Sequence, residues 1–495
     1  MNGYNLLDHT LRNIICSINP LEEDWSRRFQ LIHELRAVVE SIESLRGATV
    51  EPYGSFVSNL FTRWGDVDIS IELPNGSYIS SAGKKHKLTL LGDVLKALRA
   101  KGDCRKLQFI TNARVPILKF QGNYNISCDI SINNLIGQMK SKILYWISMI
   151  DGRFRDMVLL VKEWAKAHNI NDSKTGTLNS YTLSLLVVFH FQTCVPAIFP
   201  PLKEIYPGNM ADDLTGVRAS AEKFIEEACA TNINRLTSNK SLAINKSSLS
   251  ELFISFIAKV FCDISSRASV QGICPFTGQW EDIESNMRWL PKTYTIFVDD
   301  PFEQTVNSAR GVSSKQLARI EEAFRRTHFM LISPNQNQNE VIFTLFRPHV
   351  SKFVARTPGN QNNYSRNGLR PQLLAQRAIK APLQVQRAIQ PPLQAQHQLQ
   401  AQRDIQPSLQ AHQLQAQRAI WPPLQAQHQP QAKRAIWPPL QAQHQPQAQR
   451  AIYPPLQAHQ LQDKRMSRNQ NSTPQGPEQA IRVQTQPVWR PKSDK

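Results

Sequence analysis

The sequence lacks the cysteine pattern of a disulfide-bonded or zinc-binding protein. Its seven cysteines are scattered, no two of them have C-x-x-C spacing, and their number is odd. Such a distribution argues against a disulfide framework and against a structural zinc site. We therefore expect reduced thiols in an intracellular protein.

Long hydrophobic runs are also absent. The longest apolar stretch, Leu183 to Phe191, is interrupted by Ser184 and His190 and is far shorter than the ~20 residues of a membrane-spanning helix. No basic segment followed by an apolar core stands at the N-terminus, so we expect no signal peptide. We expect a cytoplasmic protein, and a share in the nucleus or in RNA granules is left open.

Acidic residues are scarce in the last part of the chain. Residues 360–495 contain 17 Lys or Arg and 4 Asp or Glu, and they hold +13 of the total charge of +19. A unit close to QAQRAIWPPLQAQHQP recurs there, with Arg-Ala-Ile spaced 16 residues apart at Arg418, Arg434 and Arg450. Paired prolines and few large apolar side chains predict a disordered, basic Gln/Pro-rich tail over residues 358–495. The tail could bind single-stranded RNA weakly or dock a protein partner, and we favour docking because each repeat has few charges.

Helices and strands alternate over the first 140 or so residues. Asp24–Arg46 and Lys84–Lys101 have apolar residues at three- and four-residue spacing, which predicts two amphipathic helices. Arg105–Thr111 and Arg114–Phe120 have the composition of strands, and from Ile136 onwards the pattern is helical. The sequence thus predicts an α+β protein, with a small mixed sheet covered on one face and followed by a mostly helical part.

The stretch from Val50 to Leu73 is the most informative. Gly54 and Ser55 form a turn that opens a helical segment, where the backbone can approach an anion and present N–H groups and a hydroxyl to it. Asp66 and Asp68 begin the next strand, and because alternate strand residues share a face, their carboxylates project together. Paired carboxylates repel unless a cation lies between them, and Mg²⁺ prefers oxygen ligands. Either fragment alone is more often an ordinary turn or a solvated strand start.

A third carboxylate favours a functional site over an ordinary turn and strand. Asp129 lies in another strand-like run, Asn125 to Ile132. If the two strands are neighbours, Asp66, Asp68 and Asp129 make a catalytic site for two Mg²⁺ or Mn²⁺ ions. Metals about 3.5 to 4 Å apart stabilise both the attacking and the leaving oxygen of a phosphoryl displacement.

As a set, these motifs resemble the signature of the DNA polymerase β-type nucleotidyltransferase superfamily. The segments PYGSF, WGDVDISIEL, RVPILKF and CDISINN are similar to those of its noncanonical poly(A) and poly(U) polymerases. Over roughly residues 1–350 the chain looks most like plant terminal uridylyltransferases that tail small RNAs. The resemblance implies a two-lobed enzyme, with an N-terminal helical segment at 1–46, a catalytic domain at 47–140 and a helical central, PAP-associated domain at 141–357.

The resemblance also implies which residues bind the nucleotide. Lys162 and Lys166, one helical turn apart, would hold the β- and γ-phosphates, although spacing alone favours a solvated helix face. Ser180 would bond a phosphate and Tyr181 would stack on the base, although Tyr181 by itself fits a core residue equally well. After a strand-like TYTIFV, a loop resembles the family's base-recognition loop. The complete expected nucleotide site is Gly54, Ser55, Ser141, Lys162, Lys166, Ser180, Tyr181, Asp300, Glu303 and Asn307.

Two positions depart from the family's pattern. Val306 stands where uridylyltransferases have a histidine that favours uracil over adenine. Lys140 replaces their asparagine near the ribose, whereas Ser141 retains a hydroxyl in place of threonine. These differences bear on the nucleotide preference rather than on the chemistry.

By this resemblance the chain is expected to be a template-independent RNA 3′-terminal uridylyltransferase. UTP is the expected donor, and the expected acceptors are single-stranded 3′ ends of unmethylated microRNAs or small interfering RNAs, whose tailing marks them for decay. A noncanonical poly(A) polymerase is the alternative within the class, and a catalytically inactive Gln-rich scaffold of RNA silencing is the alternative outside it. The presence of all three aspartates favours an enzyme. An Argonaute or another silencing protein is the expected partner of the tail.

Overall fold

The computed structural model describes residues 3–74, 78–79, 82–238, 244–289, 293–333 and 345–348. The predicted tail lies outside these residues. Within them the apolar side chains form one core beneath a β-sheet and a second, larger core among helices.

A five-stranded mixed sheet forms the N-terminal part. Its strands follow the order β1-β2-β5-β4-β3, and of the neighbouring pairs only β2 and β5 are parallel. Their bounds are β1 (Thr49–Tyr53), β2 (Val67–Glu72), β3 (Arg105–Ile110), β4 (Ile117–Gln121) and β5 (Ser127–Ile132). The sequence did not predict β1, because Pro52, Tyr53, Gly54 and Ser55 have the composition of a turn. As β1 lies at the edge of the sheet, it tolerates a proline.

Three helices precede or interrupt the strands. Helix α1 (Gly3–Ile18) lies within the helical segment expected at 1–46, although no separate helix was predicted there, and it packs into the helical core. Helices α2 (Glu22–Glu40) and α3 (Lys84–Lys101) bury their apolar faces against the sheet. The bounds of α3 are those predicted, since its apolar spacing is regular and Gly102, at φ +80°, ends it in a left-handed conformation. Helix α2 ends at Glu40, earlier than predicted, and a 3₁₀ turn at Glu43–Leu45 follows.

Helices dominate after the sheet. They are α4 (Leu135–Ser148), α5 (Gly152–Ala167), α6 (Ser180–Thr193), α7 (Met210–Asp213), α8 (Arg218–Ser238), α9 (Leu249–Arg267) and α10 (Ser314–Ile332). A hairpin of β6 (Gln271–Cys274) and β7 (Gln279–Asp282) lies between α9 and α10. Helix α6 is buried on nearly every side, which fits its mostly apolar sequence. The segment TYTIFV forms no regular strand, and its last residue, Val298, makes an isolated bridge with Ile273.

The structure bears on two of the features missing from the sequence, namely membrane-spanning helices and disulfide bonds. No helix in the described ranges combines the length and the hydropathy that a membrane span requires. All seven cysteines are free thiols. The predicted domain boundaries stay a prediction.

Candidate active site

The sheet brings the predicted aspartates to one end of its central strands. Asp68 on β2 and Asp129 on β5 occupy paired positions of the two parallel strands. Their flanking apolar residues are buried in the sheet core, so the two carboxylates project from the opposite face, about one strand spacing (~4.8 Å) apart. Asp66 lies just before β2, with its side chain half exposed.

An ammonium group joins two of these carboxylates. Lys119 on β4 donates to Oδ2 of Asp129 (3.1 Å) and to Oδ2 of Asp66 (3.5 Å). The sequence analysis did not identify Lys119 as a site residue, although it stands between buried Leu118 and Phe120 and must therefore face the other side of the sheet. Its charge offsets part of the repulsion among the three aspartates.

The aspartates do not form a ready-made cage for an ion. Among the described residues, no group of three or more Asp, Glu, His and Cys side chains is arranged to hold a metal. Two observations nevertheless fit a cation here. Oδ1 of Asp129 is buried and accepts no hydrogen bond of regular geometry, although Nζ of Lys119 lies 2.9 Å from it. Burial, together with the charges of Asp129 and Asp66, raises the pKa of Asp68 to about 7. A divalent ion would satisfy that oxygen and favour the charged form of Asp68.

The turn after β1 lies against Asp68. Gly54 has φ +70°, and a Cβ atom at this position would lie 2.0 Å from Oδ2 of Asp68. Only glycine therefore fits here. The helical turn predicted from Ser55 to Phe61 forms only in part. The N–H of Ser58 donates to the carbonyl oxygen of Gly54, but residues 54–59 are hydrogen-bonded turns that end at Asn59, itself at φ +57°. The N–H of Gly54 donates to Oγ of Ser141 (2.7 Å), which ties the turn to α4.

One cleft gathers most of the predicted site. It has a volume of about 540 Å³ and lies between the sheet and helices α4, α5 and α6. Ten of the predicted residues line it, namely Gly54, Ser55, Asp66, Asp68, Asp129, Ser141, Lys162, Lys166, Ser180 and Tyr181. Among its other lining residues are Tyr53, Thr62, Asn171 and Asn179, which the sequence did not indicate.

The two lysines of α5 face the cleft rather than solvent. Lys162 is buried, and its Nζ donates to the carbonyl oxygen of Leu60 (2.7 Å). Burial, reinforced by the positive charge of Lys166, lowers the pKa of Lys162 to about 7. Lys166 lies 3.8 Å from the buried carboxylate of Glu163. Two basic side chains one turn apart therefore line the cleft, where both could pair with an anionic ligand.

The start of α6 places a hydroxyl and an aromatic ring in the same cleft. Asn179 caps the helix by accepting from the N–H of Thr182 (2.8 Å). Ser180 donates to Oδ1 of Asn171 (3.1 Å), and the hydroxyl of Tyr181 donates to Oδ1 of Asp300 (3.0 Å). Burial and the charge of Asp300 raise the pKa of Tyr181 well above its ordinary value. The ring of Tyr181 thus lies in the cleft, and the hydrogen bond of its hydroxyl to Asp300 holds it in place.

Two acidic residues of the predicted base-recognition loop are neutralised by basic side chains from elsewhere. Lys140 on α4 donates to Oδ2 of Asp300 and to Oε2 of Glu303 (2.9 Å for the latter). Arg114, just before β4, binds both carboxylate oxygens of Glu303. Although burial raises the pKa of Glu303, the hydrogen bonds from Arg114 and Lys140 lower it to about 2. Glu303 and Arg114 line a second cavity of about 830 Å³, which shares Lys140 with the first.

Asn307 does not line either cavity. Its Oδ1 accepts from the N–H groups of Val298 and Ala309, and its Nδ2 donates to the carbonyl oxygen of Ile296. These bonds give Asn307 a role in holding the loop. Its expected contact with a base stays a prediction, and it would require rearrangement of these bonds.

The known proteins that are similar to this chain indicate one family. A model of the "Poly(A) RNA polymerase, mitochondrial-like, central palm domain" matches residues 7–149. Protein HESO1 of Arabidopsis thaliana is 57% identical over 370 residues, which cover 74% of this chain and 72% of HESO1. Poly(A) RNA polymerase cid11 of Schizosaccharomyces pombe is 25% identical over 326 residues, covering 64% of this chain and 61% of cid11. Poly(A) RNA polymerase GLD2 of Mus musculus is 29% identical over 270 residues, covering 53% and 51%.

Solved structures share the fold. A cytoplasmic RNA terminal U-transferase superposes on 70% of this chain and 99% of its own, with a TM-score of 0.53 and 21% identity. The Cid1 poly(U) polymerase covers 69% of this chain and 98% of its own, with a TM-score of 0.52 and 22% identity. At such identities the likeness establishes the fold alone. It confirms the predicted α+β, nucleotidyltransferase-like architecture.

Proposed function

The chain belongs to the noncanonical poly(A) and poly(U) polymerase family of RNA nucleotidyltransferases, and from this membership we propose that it adds UMP from UTP to RNA 3′ ends without a template. One observation carries the proposal. The cleft combines the three aspartates with two lysines, a serine and a tyrosine, which are the groups that a metal-assisted transfer from a nucleoside triphosphate requires.

The aspartates are proposed to hold the metal cofactor. Asp68 and Asp129, with Asp66, would bind Mg²⁺ or Mn²⁺, and the paired positions of Asp68 and Asp129 on neighbouring strands support this assignment. When bound, such ions lower the pKa of the RNA 3′-hydroxyl and stabilise the charge on the departing pyrophosphate. Gly54 keeps the turn close to Asp68 without a clash.

The remaining cleft residues are proposed to bind and orient UTP. Lys162 and Lys166 would pair with the β- and γ-phosphates, Ser55 and Ser180 would donate to phosphate oxygens, and Tyr181 would stack on uracil. The 3′-oxygen of RNA forms a bond to the α-phosphorus, the bond to the bridging oxygen breaks, and pyrophosphate leaves with its charge. No side chain is assigned as a general base, and the hydroxyl proton passes to solvent.

The physiological context is also a proposal. Unmethylated small RNAs are the proposed acceptors, with decay as the consequence of tailing, and the support is the likeness of the sequence motifs to those of small-RNA uridylyltransferases. The repeated tail supports a protein partner such as an Argonaute. Free cysteines support a reducing compartment, and we propose the cytoplasm.

Extension assays test the proposal. The purified full chain is incubated with a labelled single-stranded RNA oligonucleotide, Mg²⁺ and each nucleoside triphosphate in turn. We expect extension mainly with UTP and none after EDTA treatment. Equal or greater extension with ATP would instead support the poly(A) polymerase that the names of cid11 and GLD2 suggest. No extension with any nucleotide would support the scaffold.

An Asp68→Asn variant is the inactive control. It should lower extension by at least about a thousandfold, because one shared metal ligand is lost. Its melting temperature should not fall, because the substitution removes one of several repelling carboxylates. Full activity in this variant would contradict the assigned site.

A further inference from the structure

Lys140 lies where the two cavities meet. It lines the cleft that holds the aspartates and also the second cavity, and its side chain is nearly buried. Its Nζ is 5.3 Å from the centre of the Tyr181 ring, on which the proposed base would stack. A base stacked on this ring as proposed would therefore lie close to the ammonium.

The acceptors near this position are already used. Oδ1 of Asp300 accepts from the Tyr181 hydroxyl and from two backbone N–H groups, and Oδ2 accepts from Lys140. Both oxygens of Glu303 accept from Arg114, and Oε2 also accepts from Lys140. Every carboxylate oxygen of the pair thus has at least one donor. An amino group of a bound base would have to compete with charged donors for these oxygens.

Lys140 has one hydrogen-bond donor more than Asp300 and Glu303 use. Lys140 has three N–H groups, and two of them are used by Asp300 and Glu303. The third can be donated to a ligand. Uracil offers two carbonyl oxygens at its edge, whereas adenine offers an amino group and a ring nitrogen.

We propose that Lys140 selects UTP over ATP, by donating its remaining N–H to a uracil carbonyl and by keeping Asp300 and Glu303 from accepting the adenine amino group. The inference rests on the proposed function. It gives a physical basis for uracil preference in a chain that has Val306 where a selecting histidine is expected. Lys140 is then a specificity-determining residue and not only a partner of the loop.

Lys142 provides a matched control on the same helix. It also pairs with two carboxylates, those of Glu222 (3.1 Å) and Glu226 (2.8 Å), but it lines neither cavity. Lys142→Met therefore removes the same kind of double ion pair without touching the nucleotide. Any effect of Lys140→Met that Lys142→Met reproduces is structural.

The test compares kcat/KM for UTP and ATP on one RNA oligonucleotide. The ratio of the two constants is independent of the fraction of active protein, so partial misfolding does not distort it. Lys140→Met should lower the UTP/ATP ratio at least about tenfold, the factor expected for one hydrogen bond to a charged group. Lys140→Arg, which retains a cationic donor, should preserve the preference for UTP. Lys142→Met should leave the ratio unchanged.

The outcomes separate this inference from the proposed function. If the wild-type chain extends RNA equally with UTP and ATP, or with neither, the proposed function fails and no preference exists to explain. If the wild type prefers UTP but Lys140→Met keeps the wild-type ratio, the inference alone is overturned. Equal losses with both nucleotides, up to complete inactivity, would overturn it as well.

Discussion

At the scale of single residues, the cleft disfavours charge of both signs. Burial is the main cause of the raised pKa of Asp68 and of the lowered pKa of Lys162, and both values lie near 7. Neither group has its ordinary charge fully developed in the free protein. A bound triphosphate with its metal ions would favour the carboxylate and the ammonium at the same time.

Proton uptake on nucleotide binding is the consequence for Lys162. Because its pKa in the free protein is about 7, Lys162 is mostly neutral at pH 8, whereas pairing with a triphosphate raises its pKa and favours the protonated form. UTP binding without RNA should therefore take up close to one proton near pH 8, and the affinity should weaken as the pH rises above 7. Calorimetry in buffers of different ionisation enthalpy measures the uptake.

Lys162→Met is the control for this experiment. It should abolish the uptake at pH 8, because the side chain that takes up the proton is removed. Uptake that persists in this variant would assign the proton to a different group and would contradict the role given to Lys162.

At the scale of elements, the parallel pairing of β2 with β5 decides the site. Antiparallel neighbours can be linked by a short turn, but parallel ones require a long connection, and here α3, β3 and β4 supply it. This connection brings Asp129 beside Asp68 and also carries Lys119 to the same face. The turn after β1 completes the arrangement from the other side of β2.

Substitution of two glycines can distinguish the effect of backbone strain from that of a steric clash. Gly54 and Gly102 both have positive φ, but a Cβ atom at Gly102 would meet nothing within 4 Å, whereas one at Gly54 would meet Asp68. Gly54→Ala and Gly102→Ala should each lower the free energy of unfolding by about 1 kcal/mol through strain. Only Gly54→Ala should also reduce extension, by at least about tenfold, because Asp68 must move.

Denaturant unfolding and extension assays on the two variants check this expectation. Full activity in Gly54→Ala would show that the turn can withdraw from Asp68, and the close approach would then have no catalytic importance. A comparable loss of activity in Gly102→Ala would attribute the effect to general destabilisation.

At the scale of the whole molecule, the last described segment returns to the helical core. Leu345 and Phe346 are buried there, and Arg347 binds both oxygens of Glu163, at 2.7 and 2.8 Å for its Nη2. Glu163 is fully buried on α5, between the two lysines assigned to the phosphates. The chain beyond α10 therefore completes the core beneath the cleft.

Removal of this ion pair should destabilise the protein. Arg347→Met leaves a buried carboxylate without its main partner and should lower the free energy of unfolding by about 3 kcal/mol. Arg326→Met breaks an exposed pair with Glu322 and should change the stability far less than Arg347→Met does. Thermal melting of the two variants makes the comparison, and equal shifts would contradict a structural role for the Arg347 segment.

The tail is expected to be separable from catalysis. Deletion of residues 359–495 removes the repeats and most of the positive charge but none of the residues that line the cleft. Extension of a generic oligonucleotide should therefore remain within about twofold of the full chain, since every residue assigned to the chemistry is retained. Loss of activity would show that the tail binds the RNA that is being extended.

The sequence by itself determined the features that depend on neighbouring residues. The bounds of α3 follow from regular apolar spacing and a terminal glycine, and the position of Asp68 on the face of β2 opposite the core follows from strand alternation. The resemblance to the family predicted four further residues of the nucleotide site. All of them line the cleft, namely Lys162, Lys166, Ser180 and Tyr181. The resemblance gave α1 only as part of a helical segment at 1–46, and it did not reveal the strand β1.

Only the tertiary structure decided which charges meet. It placed Lys119 between two aspartates, joined Lys140 to acids of a loop some 160 residues away, and bound Arg347 to Glu163 across 184 positions. It also turned Asn307 towards the backbone of its own loop. Such pairings cannot be recognised from residue spacing, because they arise when separate elements pack together. Hydrophobic spacing and glycine conformations, by contrast, are set within a few neighbouring residues.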